Sequence, residues 1–124
     1  MALLRHTLPD GSHHFDWVLG LCSMEAAQAE PDRRDAVTFR VAERVDVERG
    51  ADGAASQPRL IEGERLPDHR RRYLWYEGEV EGGRGCVERV AAGWWRPDVV
   101  SADEVKLCAA FEGRAAAQWL WTAR

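Results

Sequence analysis

The stretch His14-Phe15-Asp16-Trp17-Val18-Leu19 decides the fold. Its residues alternate with a period of two: Phe15, Trp17 and Leu19 point one way, and His14, Asp16 and Val18 the other. The apolar triplet is the core-facing side of a strand. The opposite face carries an imidazole and a carboxylate about 7 Å apart along the chain, at a rise of ~3.3 Å per residue.

Working outward, Ala2 to Thr7 reads as a preceding strand, and Pro9-Asp10-Gly11 as the turn that folds it back. That turn brings His6 beside His14 and Asp16. Two imidazoles and a carboxylate suit a divalent transition metal with open positions. His13 faces away from His14 and is a bystander. The plain alternative is a solvated polar face of an antiparallel strand, which is common.

Downstream, Leu21 to Asp35 is an Ala/Glu/Arg-rich connection with a helical turn at Met24 to Ala29. Ala36 to Val41 alternates as a third strand, with Val37, Phe39 and Val41 opposite Thr38 and Arg40. Asp46 to Gln57 lacks periodicity and reads as an exposed loop. Arg72 to Val80, around Tyr73-Leu74-Trp75-Tyr76, is rich in strand-forming residues. Gly82-Gly83-Arg84-Gly85 is a turn or bulge, since no Lys-Ser/Thr follows to make a phosphate loop. Cys86 to Ala91, Gly93 to Arg96, Glu104 to Phe111 and Ala116 to Thr122 complete seven or eight short strands. The expected fold class is mainly β, a single compact antiparallel β-barrel domain over residues 1–124 with little helix.

The chain has 124 residues, 45% of them hydrophobic and 31% charged, a balance normal for a soluble globular protein. A net charge of -4 argues against binding nucleic acid by bulk electrostatics, although Arg70-Arg71-Arg72 make a local landing site for a phosphate backbone. Cys22, Cys86 and Cys108 form no metal or disulfide pattern, which fits a reducing cytoplasm. The opening residues turn polar too soon for a secretory leader, and no apolar run approaches a membrane span. A soluble cytoplasmic protein is expected, with no membrane partner.

Taken in order, Arg5-His6, Pro9 to Gly11, His14-Phe15-Asp16, Thr38-Phe39-Arg40-Val41, Leu66-Pro67-Asp68-His69 to Tyr73, Tyr76-Glu77-Gly78, Gly82-Gly83-Arg84-Gly85 and Gly113-Arg114 carry a resemblance. The chain resembles the phosphoesterase domain of bacterial DNA ligase D, and more closely the short free-standing proteins of that family. The resemblance touches roughly two-thirds of the chain. Asp-His-x-x-x-Tyr followed by Tyr-Glu-Gly and Gly-Gly-x-Gly is its most specific part.

The resemblance implies a compact β-barrel that uses manganese, with zinc as the other candidate ion, to process 3' ends of DNA or RNA-tipped strands. It removes a terminal ribonucleoside and then the remaining 3' phosphate, in the setting of DNA repair alongside ligase or polymerase proteins. By position, His6, His14 and Asp16 match the metal ligands, His69 and Tyr73 the residues contacting the scissile phosphate, and Thr38 a phosphate-contacting serine. Two positions depart from the pattern. Val18 stands where the family has a phosphate-binding arginine, and Leu4 where it has a glutamine. Losing a bidentate charge-assisted clamp in a dry site removes about 10² to 10³ in rate. Arg40, on the face of Thr38, is the substitute clamp if the activity is kept. The rival readings are a catalytically silent module that binds nucleic-acid ends or phosphate, and a β-barrel interaction protein in which these polar residues are vestigial.

Overall fold

The computed structural model describes residues 1–47 and 58–123. Within them the chain is mainly β, with 55% strand and 9% helix. The strands are β1 (Ala2–Thr7), β2 (His13–Leu19), β3 (Arg34–Val41), β4 (Arg59–Leu60), β5 (Gly63–Arg70), β6 (Gly78–Glu79), β7 (Cys86–Val100), β8 (Glu104–Phe111) and β9 (Ala117–Thr122). A short helix α1 (Met24–Ala29) and a 3-10 turn (Arg71–Leu74) complete the set. No described helix is long and apolar enough to cross a membrane.

All nine described strands belong to one sheet, in the order β4-β9-β8-β7-β1-β2-β3-β5, with β6 paired to β7. Every pairing is antiparallel except β4 with β9, which is parallel. The hydrogen-bonded path ends at β4 on one side and β5 on the other, so the sheet is not closed into a barrel. Only Ile61 and Glu62 separate those two edge strands in sequence, and the Ile61 amide donates to the Leu120 carbonyl at 2.8 Å. The backbone itself thus passes between the two edges.

The alternation expected of β2 is met. Phe15, Trp17, Leu19, Phe39 and Val41 are all buried. They form one core with Leu3, Val105, Leu107, Phe111 and Trp119, because the sheet curls until β2 faces β8 and β9. The Trp17 ring lies 5.2 Å from Trp119 and 5.7 Å from Phe111, measured between centroids.

The other face of β1, β2 and β3 differs from expectation. Val18 is fully buried there, with Ala2, Leu4, Ala36 and Val87, under a cap made by Ala27 of α1 and Leu74 of the 3-10 turn. Of the strand expected over Arg72 to Val80 only the two residues of β6 are extended and paired, and its start is the 3-10 turn. Its aromatic residues are instead gathered into this second core, where Tyr73, Trp75, Tyr76 and Val80 pack. Burial against the sheet outweighs their strand propensity. Conversely, β5 contains Pro67, which counts against a strand by sequence, yet an edge strand tolerates it because one row of amides is unpaired anyway. The two strands expected at Cys86 to Ala91 and Gly93 to Arg96 are one continuous β7. Most of the loop expected at Asp46 to Gln57 lies outside the described residues.

Arg71 pins the cap. Its guanidinium donates twice to Asp35, at 2.9 and 2.8 Å, and once to the Ala26 carbonyl of α1. The paired guanidinium holds the Asp35 carboxyl below the ordinary carboxylate range. A depressed folded value means that this stabilisation is present above about pH 4 and is lost as pH falls through the folded pKa. Arg71→Ala is expected to lower the thermal midpoint by several degrees at pH 7. The gap to the parent should close in strong acid, and scans across pH 2 to 7 check both.

Candidate metal centre

The hairpin of β1 and β2 builds the centre. Its turn is held by the Asp10 carboxylate, which accepts from the Ser12 amide and hydroxyl, with Gly11 at a φ of 89° where a side chain would be strained. The resulting register sets His6 directly opposite His14. Their rings meet edge to face at 4.8 Å. Asp16, two residues along β2 on the same face, completes a group whose ligand atoms lie within 4.8 Å of one another. His6 Nδ1 is 3.4 Å from Asp16 Oδ2, and His14 Nε2 is 3.2 Å from Asp16 Oδ1.

The protons can be assigned from the surroundings. His6 Nε2 lies 2.7 Å from the Arg84 carbonyl oxygen, which only accepts, so in the neutral ring Nε2 carries the hydrogen and Nδ1 presents its lone pair on the side of Asp16. Gly85 makes that contact possible, because a Cβ there would overlap the Thr7 carbonyl and push the Arg84 backbone away. Burial pushes the His14 pKa down, outweighing the attraction of Asp16, and Arg40 and His6 lower it further. His14 is therefore neutral at neutral pH. His14 Nε2 and Asp16 Oδ1 are both buried without a hydrogen-bond partner. A buried imidazole nitrogen and a buried carboxylate oxygen 3.2 Å apart that form no well-aligned hydrogen bond cost free energy that an ion ligated by both would recover. The residues fit a divalent ion with an N,N,O donor set.

Beside this centre is a cavity of about 540 Å³ lined by His6, Asp16, Arg34, Arg40, Arg70, Arg84, His69 and Tyr73, among others. Arg40 is the register partner of Asp16 across β2 and β3, on the same face. Among the described residues it has no carboxylate partner. His69 stands opposite Ala36 on β3, four residues along from Arg40. Its Nδ1 lies 2.9 Å from the Pro67 carbonyl and therefore carries the hydrogen in the neutral ring, leaving Nε2 free. Tyr73 returns to His69 at 5.8 Å between ring centroids. In a continuous strand four residues would separate them by about 13 Å; the 3-10 turn after β5 brings them together.

Other candidate residues lie elsewhere. Thr38 is fully buried, donates its hydroxyl to the Ala36 carbonyl at 3.0 Å, and does not line the cavity. Of the Arg70 to Arg72 run, Arg71 is held by Asp35 and Arg72 by Asp32, so only Arg70 lines the cavity. Arg34 belongs to no motif in the sequence. Its signal was the spacing from Arg40, an even six residues along the strand, but the strand was expected to start at Ala36.

A broader depression of about 740 Å³ lies against the Gly82-Gly83 turn, lined by Glu79, Glu81, Tyr76 and Cys86. Its two carboxylates and lack of arginine make it a poor anion site. Comparison with protein-family models, curated proteins and solved structures found no match.

Proposed function

We propose that this protein is a metal-dependent phosphoesterase acting on the 3' ends of DNA or RNA strands in DNA repair. The observation that carries the reading is the juxtaposition of the His6-His14-Asp16 group, in which His14 Nε2 and Asp16 Oδ1 lack hydrogen-bond partners, with one cavity that also collects four arginines, His69 and Tyr73. The strand polarity and the repair setting come from the family resemblance.

In this reading His6 Nδ1, His14 Nε2 and Asp16 hold manganese, or zinc in its place. An ion held there supplies Lewis-acid polarisation of a phosphoryl oxygen and makes water more acidic. Arg40 offers its guanidinium to the other phosphoryl oxygens, in the role Val18 cannot fill. Protonated His69 gives its Nε2 hydrogen to the leaving oxygen, and the Pro67 carbonyl keeps the ring in the orientation that presents it. The Tyr73 hydroxyl orients that oxygen.

The test is release of phosphate from a 3'-phosphorylated primer-template with added manganese, and its loss on chelation. Arg40→Ala is expected to lower kcat/KM by about 10² to 10³, with manganese affinity, read by calorimetry, nearly unchanged. An equal rate in that variant would remove Arg40 from the mechanism.

One observation favours the silent end-binding module instead. Val18 and Thr38, at two of the positions where the family contacts phosphate, are both fully buried, Val18 within the second core. Binding of the same primer-template without any turnover in manganese or zinc would establish that alternative.

A further inference from the structure

Arg34 and Arg70 face each other directly across β3 and β5, and both line the cavity. Like charges in directly opposite positions of an antiparallel pair destabilise it. Little relieves this one. Among the described residues Arg34 has no ion-pair partner. Arg70 reaches only Glu81, at 3.4 Å, and the Glu81 side chain is 74% exposed, so water screens that pair. The two arginines thus line one stretch of the cavity wall, and His6 and Asp16 of the metal centre line another. Arg34 lies six residues from Arg40 along β3, up to about 20 Å at ~3.3 Å per residue. A single phosphate cannot sit at both places.

We infer that Arg34 and Arg70 form a second anion subsite that takes an internal phosphate of a nucleic acid strand whose 3' end lies at the metal centre. The ligand is then a strand of several nucleotides rather than a mononucleotide. This inference rests on the proposed phosphoesterase reading for the polarity of the strand. The subsite explains why a like-charged pair is kept where neutral residues would fit, since an anion bridging two guanidinium groups turns their repulsion into a paired charge-assisted contact. Phosphate contacts of this kind set register along a strand without reading its sequence.

The test uses the whole protein without added metal, so that nothing turns over. Calorimetry measures binding of 3'-phosphorylated oligothymidylates of one to four nucleotides. The expected result is a rise of about tenfold or more at the length that first reaches Arg34 and Arg70. Arg34→Ala and Arg70→Ala should flatten that rise and make the salt dependence of the tetranucleotide shallower by about 0.7 in log-log slope. Arg40→Ala should instead lower all lengths by a similar factor. Without ligand, Arg34→Ala should raise the thermal midpoint slightly, because it removes the repulsion; Arg34→Gln gives the same readout if the first variant folds poorly.

A flat length series in the parent protein overturns the inference, as does an equal loss at every length in the Arg34 and Arg70 variants. So does inorganic tripolyphosphate binding as tightly as the tetranucleotide, which would mark a general anion groove. The outcome separates from that of the proposed activity. A length-dependent rise without phosphate release in manganese keeps the subsite and removes the phosphoesterase. Release at one rate from every length, with a flat binding series, does the reverse.

Discussion

Asp16→Asn is expected to abolish metal-dependent phosphate release, by about 10³-fold or more, the scale on which a preorganised electrostatic contact acts in a water-excluded site. Asp16 touches both imidazoles of the centre and is 4% exposed. The amide keeps the shape but removes the negative charge that a divalent ion requires. Without metal the variant should be as stable as the parent, or more so, because one buried oxygen of the carboxylate has no hydrogen-bond partner and its charge is costly to bury. In manganese the parent should gain thermal stability by mass action and the variant should not. Melting curves with and without manganese check this apart from activity. Equal stabilisation of both proteins by the ion would mean that it binds elsewhere.

Trp17→Ala carries the largest expected effect on folding. Trp17 is fully buried, its ring meets both Phe111 and Trp119, and its indole N–H donates to Met1 Sδ at 3.3 Å. It joins the β1-β2-β3 part of the sheet to β8 and β9, so neighbours cannot collapse into its space without uncurling the sheet. Truncating a buried tryptophan costs about 3 to 5 kcal/mol, a large fraction of the 5 to 15 kcal/mol that holds a typical domain together. Chemical denaturation should show a midpoint lowered in proportion, with much of the protein unfolded in the absence of ligand. A shift below about 1 kcal/mol would show that the two halves of the sheet do not depend on this contact.

Local sequence determined the strands whose two faces differ in character. The alternation of Phe15, Trp17 and Leu19 against His14 and Asp16, with one tight turn upstream, was enough to place His6 opposite His14 and to bring Asp16 to them. That grouping depends on a period of two and a hairpin, and both are written within 15 residues. The helical turn at Met24 to Ala29 was legible for the same reason, as its cap is the neighbouring Ser23.

Tertiary structure decided the cavity. Val18 and Thr38 share the face of Asp16 and Arg40, and alternation alone left that whole face open to solvent. The packing of α1 and of the 3-10 turn, the latter more than 30 residues further along the chain, sealed part of it and left the rest as a site. The aromatic run at Tyr73 to Tyr76 gave up strand geometry because that second core had room for its rings. Arg34 and Arg70 met because β3 pairs β5 through two register shifts, which no periodicity records. The physical reason is common to these cases. A residue's face follows from backbone geometry within its own strand, but what covers that face depends on free energies of burial and charge summed over elements the local pattern never sees.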